Sequence, residues 1–209
     1  MAFSGNRKRK KARRAPHRRP KPTILLVCEG SKTEPEYFRG LASHCKNPLV
    51  RIKICPEHGV PLTLVEIAKQ YKKDAEREAK RKRDVNLRIN AVWCVFDVDD
   101  HPHLEEALTT ARDNGIRIAL SNPSFELWLL LHFRDDPGMK PRDQIQALLR
   151  SHVSEYDKSV EYGTYSAGHA EAVKRATRMH ERAQLDGEDG RNPCTTVYLL
   201  TRCISAESA

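Results

Sequence analysis

The stretch Thr23-Ile24-Leu25-Leu26-Val27-Cys28-Glu29-Gly30 is apolar through Cys28 and then turns abruptly acidic. A short run with no polar alternation, closed by glycine, predicts a strand buried on both faces, as parallel sheets require. A second such run, Ala91-Val92-Trp93-Cys94-Val95-Phe96, passes directly into Asp97-Val98-Asp99-Asp100. A third, Ile116-Arg117-Ile118-Ala119-Leu120, stops at Ser121-Asn122-Pro123. Between the first two, Val50-Arg51-Ile52-Lys53-Ile54 alternates with period 2 and predicts a half-buried or edge strand.

Helical patterns fill the gaps. Residues 33–45 carry Thr33 as a cap, Pro35 and Glu36 in the first turn, and Tyr37, Phe38 and Leu41 on one face. A long helix starts near Leu62, with Leu62, Val65, Ala68 and Tyr71 sharing a face. Residues 102–114 form another, closed by Gly115. From Phe125 to Phe133 the chain is apolar nearly all round, which predicts a buried helix. Strand–helix alternation over residues 23–133 predicts a doubly wound α/β sheet of about four mainly parallel strands flanked by helices.

Beyond that lie helical patterns at residues 142–150, 170–184 and 195–204, the last opened by Asn192-Pro193. A polar, Tyr-rich stretch occupies residues 156–165. The expected organisation is a basic arm at 1–22, an α/β core at 23–140 and a helical C-terminal part at 141–209 packed on that core.

The net charge of +9 resides in the arm. Before Thr23 stand ten bases (Arg7, Lys8, Arg9, Lys10, Lys11, Arg13, Arg14, Arg18, Arg19, Lys21) and no acid, leaving 27 bases against 28 acids in the rest. So few apolar groups do not offset the ordering entropy, so the arm is expected to be disordered when free and able to lie along phosphates. A solubilising tail is the alternative. Residues 69–83 hold eight bases and three acids; they read as a solvated helix with i,i+4 pairs, or, at Lys80, Arg81, Lys82 and Arg83, as a guide for a polyanion.

No apolar run approaches the ~18 residues of a membrane span, and no apolar secretory segment opens the chain. The six cysteines form no C-x-x-C pair, so a reducing cytoplasm is expected and a structural zinc site is not.

Ligands of open α/β sheets bind beyond the carboxyl ends of the strands. Two buried strands end there in acid, at Glu29 and at Asp97, Asp99 and Asp100, and the next leads to Glu126. If the strands are neighbours, Glu29 and Asp97 converge, and two carboxylates 5 Å apart repel by about 3 kcal/mol at an effective dielectric near 20. Such a group must protonate or hold a cation. All-oxygen donors select Mg²⁺ or Mn²⁺ over zinc, and a carboxylate-held Mg²⁺ keeps positions open for phosphate oxygens. Asp97 and Asp99, two apart, point the same way on extended chain.

Cys28-Glu29-Gly30-Ser31-Lys32-Thr33-Glu34-x-x-Tyr37-Phe38, Phe96-Asp97-Val98-Asp99-Asp100-His101, the block from Ser121 to Phe133, and Asn192-Pro193-Cys194-Thr195-Thr196-Val197 together resemble the RloB-like family of bacterial defence proteins. More broadly, Glu-Gly after the first strand with Asp-x-Asp after the third resembles the Toprim domain of topoisomerases, primases and OLD-type nucleases. The resemblance implies a Toprim-like Rossmannoid fold with a helical C-terminal extension, and a metal-dependent nuclease acting on RNA or DNA in anti-phage defence. It implies Glu29 as metal ligand or general acid/base and Asp97 and Asp99 as metal ligands. It also implies restraint by a separately encoded ATPase, since the chain has no G-x-x-x-x-G-K-[ST].

Glu34 matches the second glutamate of the OLD-type pattern with a one-residue offset, so metal ligand and helix cap both stand. Glu126 reads as a second-metal ligand or a buried helix-start acid. Lys32 reads as a catalytic cation on the scissile phosphate or a solvated loop lysine, and Asp100 as a helix cap. His101, His103 and His132 read as structural histidines more readily than as bases, and Lys158 as a lysine reaching the site from the helical half. Two rival classes are a non-catalytic nucleic-acid-binding module that works through the arm, and a phosphatase or phospho-receiver. The latter's Asp-x-Asp normally follows the first strand rather than the third. The oligomeric state is left open.

Overall fold

A computed structural model describes residues 23–54, 60–98, 103–188 and 190–205, without the side chains of Lys53 and Ile54. The arm, Asp99, Asp100 and His101 lie outside the described residues. The elements run β1 (Ile24–Cys28), α1 (Thr33–His44), β2 (Val50–Ile54), α2 (Pro61–Lys82), β3 (Ala91–Asp97), α3 (Leu104–Asp113), β4 (Arg117–Asn122), α4 (Phe125–Leu130), α5 (Arg142–Arg150), α6 (Tyr162–Ser166), α7 (His169–Leu185), β5 (Cys194–Thr195) and α8 (Val197–Ser205).

They form one five-stranded sheet of order β2-β1-β3-β4-β5. The first three pairings are parallel, and β5 joins antiparallel. The mixed α/β class and the mainly parallel sheet are as the sequence predicts, with β2 at an edge. The fifth strand is a correction. Asn192-Pro193 leads not into the last helix but into Cys194 and Thr195, which cover the free edge of β4. There Ser121 Oγ and Thr195 Oγ1 hydrogen-bond at 2.9 Å, and Leu120 N donates to Thr196 Oγ1 at 2.9 Å.

Alternate residues of β1 and β3 feed two cores. Leu25, Val27, Val92, Cys94 and Phe96 pack against Leu64, Val65 and Ala68 of α2 and Ala107 and Ala111 of α3. Within α2 the buried face differs slightly from the one predicted: Leu64 is fully enclosed, whereas Tyr71 is exposed. Ile24, Leu26, Cys28, Trp93 and Val95 face the other way, onto α1, α4 and the C-terminal helices. All six residues of α4 are buried, as its unbroken apolarity requires. In the polar, Tyr-rich stretch at 156–165, the polar residues Asp157, Lys158, Ser159, Glu161 and Thr164 are exposed, while Tyr156, Tyr162 and Tyr165 are buried in this second core. Gly40 of α1 allows that contact, because a Cβ there would collide with Cβ of Tyr162.

As a crossover between parallel strands, α2 returns the chain to the edge of the sheet where strands begin. Its end is followed by a 3-10 turn (Val85–Leu87) and by Asn90, whose N–H donates to Thr23 O at 2.8 Å beside the start of β1. Lys80, Arg81, Lys82 and Arg83 therefore stand at the end of the sheet opposite Glu29 and Asp97.

His132 is a structural histidine. Its ring nitrogens reach Trp128 O at 3.0 Å and the Tyr37 hydroxyl at 3.1 Å, within an aromatic cluster. Burial pushes its pKa from 6.5 down to about 3. The folded state therefore keeps the ring neutral, while the unfolded chain protonates it below pH 6.5. Stability is unaffected by this ring above pH 6.5 and falls as pH drops from there toward 3, by up to ~1.4 kcal/mol per unit. Urea unfolding of the wild type and His132→Gln should show the wild type's advantage shrinking by about 2 kcal/mol between pH 7.5 and pH 5. An unchanged gap would mean that the buried ring titrates normally.

Candidate active site

Strand order reverses at β1: the chain steps out to β2, then returns to place β3 on the other side. At such a switch point the segments leaving adjacent strands diverge and open a crevice. The register pairs Cys28 with Val95, and Glu29 N donates to Val95 O at 3.0 Å. Glu29 and Asp97 thus leave neighbouring strands side by side, with Asp97 N 3.4 Å from Glu29 Oε2. Asp97 follows Trp93 and Val95 in parity, so its side chain faces α4 and α5.

A cavity of ≈ 330 Å³ opens there, lined by Glu29, Gly30, Ser31, Lys32, Thr33, Glu34, Asp97, Phe125, Glu126, Arg142, Gln146 and Lys158. Four predicted carboxylates share it. Glu34, the second residue of α1, folds back over Gly30: a Cβ on Gly30 would strike the Glu34 carboxylate. Burial raises the Glu34 pKa, opposed by the N–H groups of Glu34 and Gly30 and reinforced by Glu126 and Glu29. Its side chain therefore meets the helix-end amides and faces the pocket at once. Thr33 does not cap α1; its hydroxyl donates to Lys158 O at 2.9 Å.

Asp97 is raised well above the usual carboxylate range, by burial first and then by Glu34, while Arg142 pulls it down. Arg142 Nη2 donates to Asp97 Oδ2 at 2.7 Å. Glu126 is held on three sides: it accepts from Ser124 Oγ at 2.6 Å, Gln146 Nε2 at 3.0 Å and the Tyr156 hydroxyl at 3.1 Å. A carboxylate offers about four lone-pair positions, so roughly one is left for a ligand. The buried-acid reading of Glu126 thus has its partners, and the pocket still sees the group.

Three cations rim these acids: Lys32, Arg142 and Lys158. Lys32 pairs with Asp157 at 3.3 Å, and both side chains are well exposed. Lys158 reaches the pocket from the helical half, on a backbone at φ 73°, a left-handed conformation sparse for non-glycine residues. The segment 156–160 is strapped to α1: Thr33 binds Lys158 O, and Glu36 accepts from Val160 N at 2.7 Å and Ser159 Oγ at 3.3 Å. His103 lies elsewhere, on the surface beside Glu106 at 3.3 Å.

The sequence did not single out Ser124, Arg142, Gln146 or Tyr156. Only the i,i+4 spacing of Arg142 and Gln146 behind Pro141 marked them as one helix face.

Oxygen donors alone fit a hard divalent ion. Among the described residues, however, no three His, Cys, Asp or Glu side chains stand together as a ready-made metal site. The reasons are visible: Glu126 is occupied by protein donors, Asp97 by Arg142, and Asp99 is not described. Glu29, Glu34 and Asp97 are the residues best placed to hold such an ion.

A α/β domain with an acid-lined switch-point crevice is the class the geometry defines. The model of the family described as RloB-like protein matches residues 24–204, and the chain belongs to that family. Searches of curated proteins and of solved structures give no match. Among the described residues no helix is long and apolar enough to cross a membrane.

Crowded buried acids oppose folding. Glu34→Gln keeps an acceptor for the Gly30 and Glu34 amides and removes the charge. The variant should melt a few degrees higher than wild type in EDTA by calorimetry, and Mg²⁺ should stabilise it less than it stabilises the wild type.

Proposed function

We propose that this protein is a metal-dependent nuclease of Toprim type that hydrolyses phosphodiester bonds of RNA or DNA. The observation that supports it best is the meeting of Glu29 and Asp97 at the β1/β3 switch point, with Glu34 and Glu126 in the same cavity and cations at its rim. Bound Mg²⁺ or Mn²⁺ supplies an activated water and neutralises the leaving oxygen. Glu29, Asp97 and Glu34 would hold the ion, and Asp99, two positions after Asp97 in the sequence, is assigned to it by the Asp-x-Asp resemblance. Glu29, at a strand end beside Gly30, takes the proton of the attacking water. Lys32 and Lys158 orient the phosphate from the rim.

The family resemblance supports a role as an effector in anti-phage defence, in the cytoplasm, under control of a separately encoded ATPase. Among the described residues, Cys28, Cys94 and Cys194 are buried and not joined in disulfides, which accords with a reducing compartment.

A second reading, a non-catalytic nucleic-acid-binding module, draws on the basic run at Lys80, Arg81, Lys82 and Arg83, which lies at the far end of the sheet from the pocket. Thr23, which follows the basic arm in the sequence, lies at that same end.

Purified protein offered total RNA, plasmid and single-stranded DNA with Mg²⁺, Mn²⁺ or EDTA separates the two. Cleavage should require metal, and Asp97→Asn and Glu29→Gln should lower it beyond the ~10–100-fold typical of outer-shell changes while retaining binding. Deleting residues 1–22 should weaken binding and flatten its salt dependence without abolishing cleavage. Equal cutting by Asp97→Asn, or cutting in EDTA, refutes the nuclease.

A further inference from the structure

Among the described residues, Arg142 is the rim cation that touches an acid of the cavity floor, Asp97 Oδ2 at 2.7 Å. Lys32 is engaged outward with Asp157. The Arg142 side chain is 43% exposed and that of Asp97 only 16%. One end of the pair can therefore leave for water at little desolvation cost, and the other cannot. One turn along the same helix, Gln146 binds Glu126 through a neutral amide, a contact that an incoming cation does not repel. The first two turns of α5 thus present a fixed neutral donor to one floor acid and a releasable positive donor to another.

A guanidinium on Asp97 occupies the direction from which a metal would approach that oxygen. It supplies one positive charge where the floor holds four acids. A divalent ion at the same carboxylate brings twice the charge at shorter range, and its field expels the guanidinium toward the mouth, where a phosphate would sit. Arginine suits that second position, since its planar fork binds phosphate oxygens in pairs.

We propose that Arg142 is a built-in stand-in for the metal: it neutralises Asp97 in the metal-free protein, is displaced when the divalent ion binds, and then grips the substrate phosphate. This rests on the nuclease reading given above and assigns Arg142 two successive partners. Metal and substrate then bind cooperatively, because the ion frees the group that holds the phosphate.

The test is Mn²⁺ titration of substrate-free protein, followed by electron paramagnetic resonance, for wild type, Arg142→Gln, Arg142→Ala and Arg142→Lys. The residue is exposed and opens its helix, so these variants should fold, which circular dichroism checks. Removing the charge should tighten Mn²⁺ binding about tenfold, with Arg142→Lys intermediate. In Ca²⁺, which slows cutting, binding of a short oligouridylate should weaken about tenfold for the neutral variants. Mn²⁺ affinity unchanged or weaker in Arg142→Gln and Arg142→Ala overturns the stand-in role while leaving the nuclease reading intact. Tighter Mn²⁺ with unchanged oligouridylate binding removes the phosphate grip. Absence of Mn²⁺ binding in every form, wild type included, refutes the metal site and this inference together.

Discussion

The parallel pairing of β1 with β3 is the constraint on which the rest depends. It is set by two apolar runs that have no solvent face, so each must be covered on both sides and flanked along its length. Once Ile24–Cys28 and Ala91–Asp97 lie in register, the acids at their ends are delivered to one place by the backbone rather than by side-chain choice. Repulsion between them is then unavoidable. The fold meets it with Arg142 on Asp97, three neutral donors on Glu126 and helix-end amides on Glu34.

Three of the four side-chain donors in that set, Arg142, Gln146 and Tyr156, come from the chain after residue 140. The C-terminal helices are not an appendage to the sheet. They fill one of its two cores with Ile145, Leu149, Tyr156, Tyr165, Val197 and Leu200, and they bring Arg142, Gln146, Tyr156 and Lys158 to the crevice. Glu36 carries no charge into the cavity, but it anchors residues 159 and 160 and so fixes where Lys158 sits.

The sheet was legible because its buried strands are continuous apolar runs, and the acids were legible because they stand at strand ends, where position implies proximity. Glu29, Glu34, Asp97 and Glu126 were all named from sequence and all line one cavity. Arg142, Gln146 and Tyr156 were not, since nothing local separates an arginine behind Pro141 from a solvated one. Their roles exist only after α5 docks against α4. The burial of Tyr156, Tyr162 and Tyr165 was not legible, because polar neighbours break any apolar period that would mark a packed face. The strand Cys194–Thr195 was missed, and Thr195 was assigned to the last helix, because two residues are too few to show a strand's period. Asp99 and the basic arm fall outside the described residues.

The placement of Lys80–Arg83 sets a minimum length for any ligand that uses both poles of the molecule. β3 has seven residues, about 23 Å at the rise of a strand. On the nuclease reading proposed above, a mononucleotide that fits the crevice would not reach the basic pole, whereas a folded or extended polynucleotide would span the distance and touch both. Discrimination between short and long chains would then follow from the height of the sheet alone, with no contact to any base.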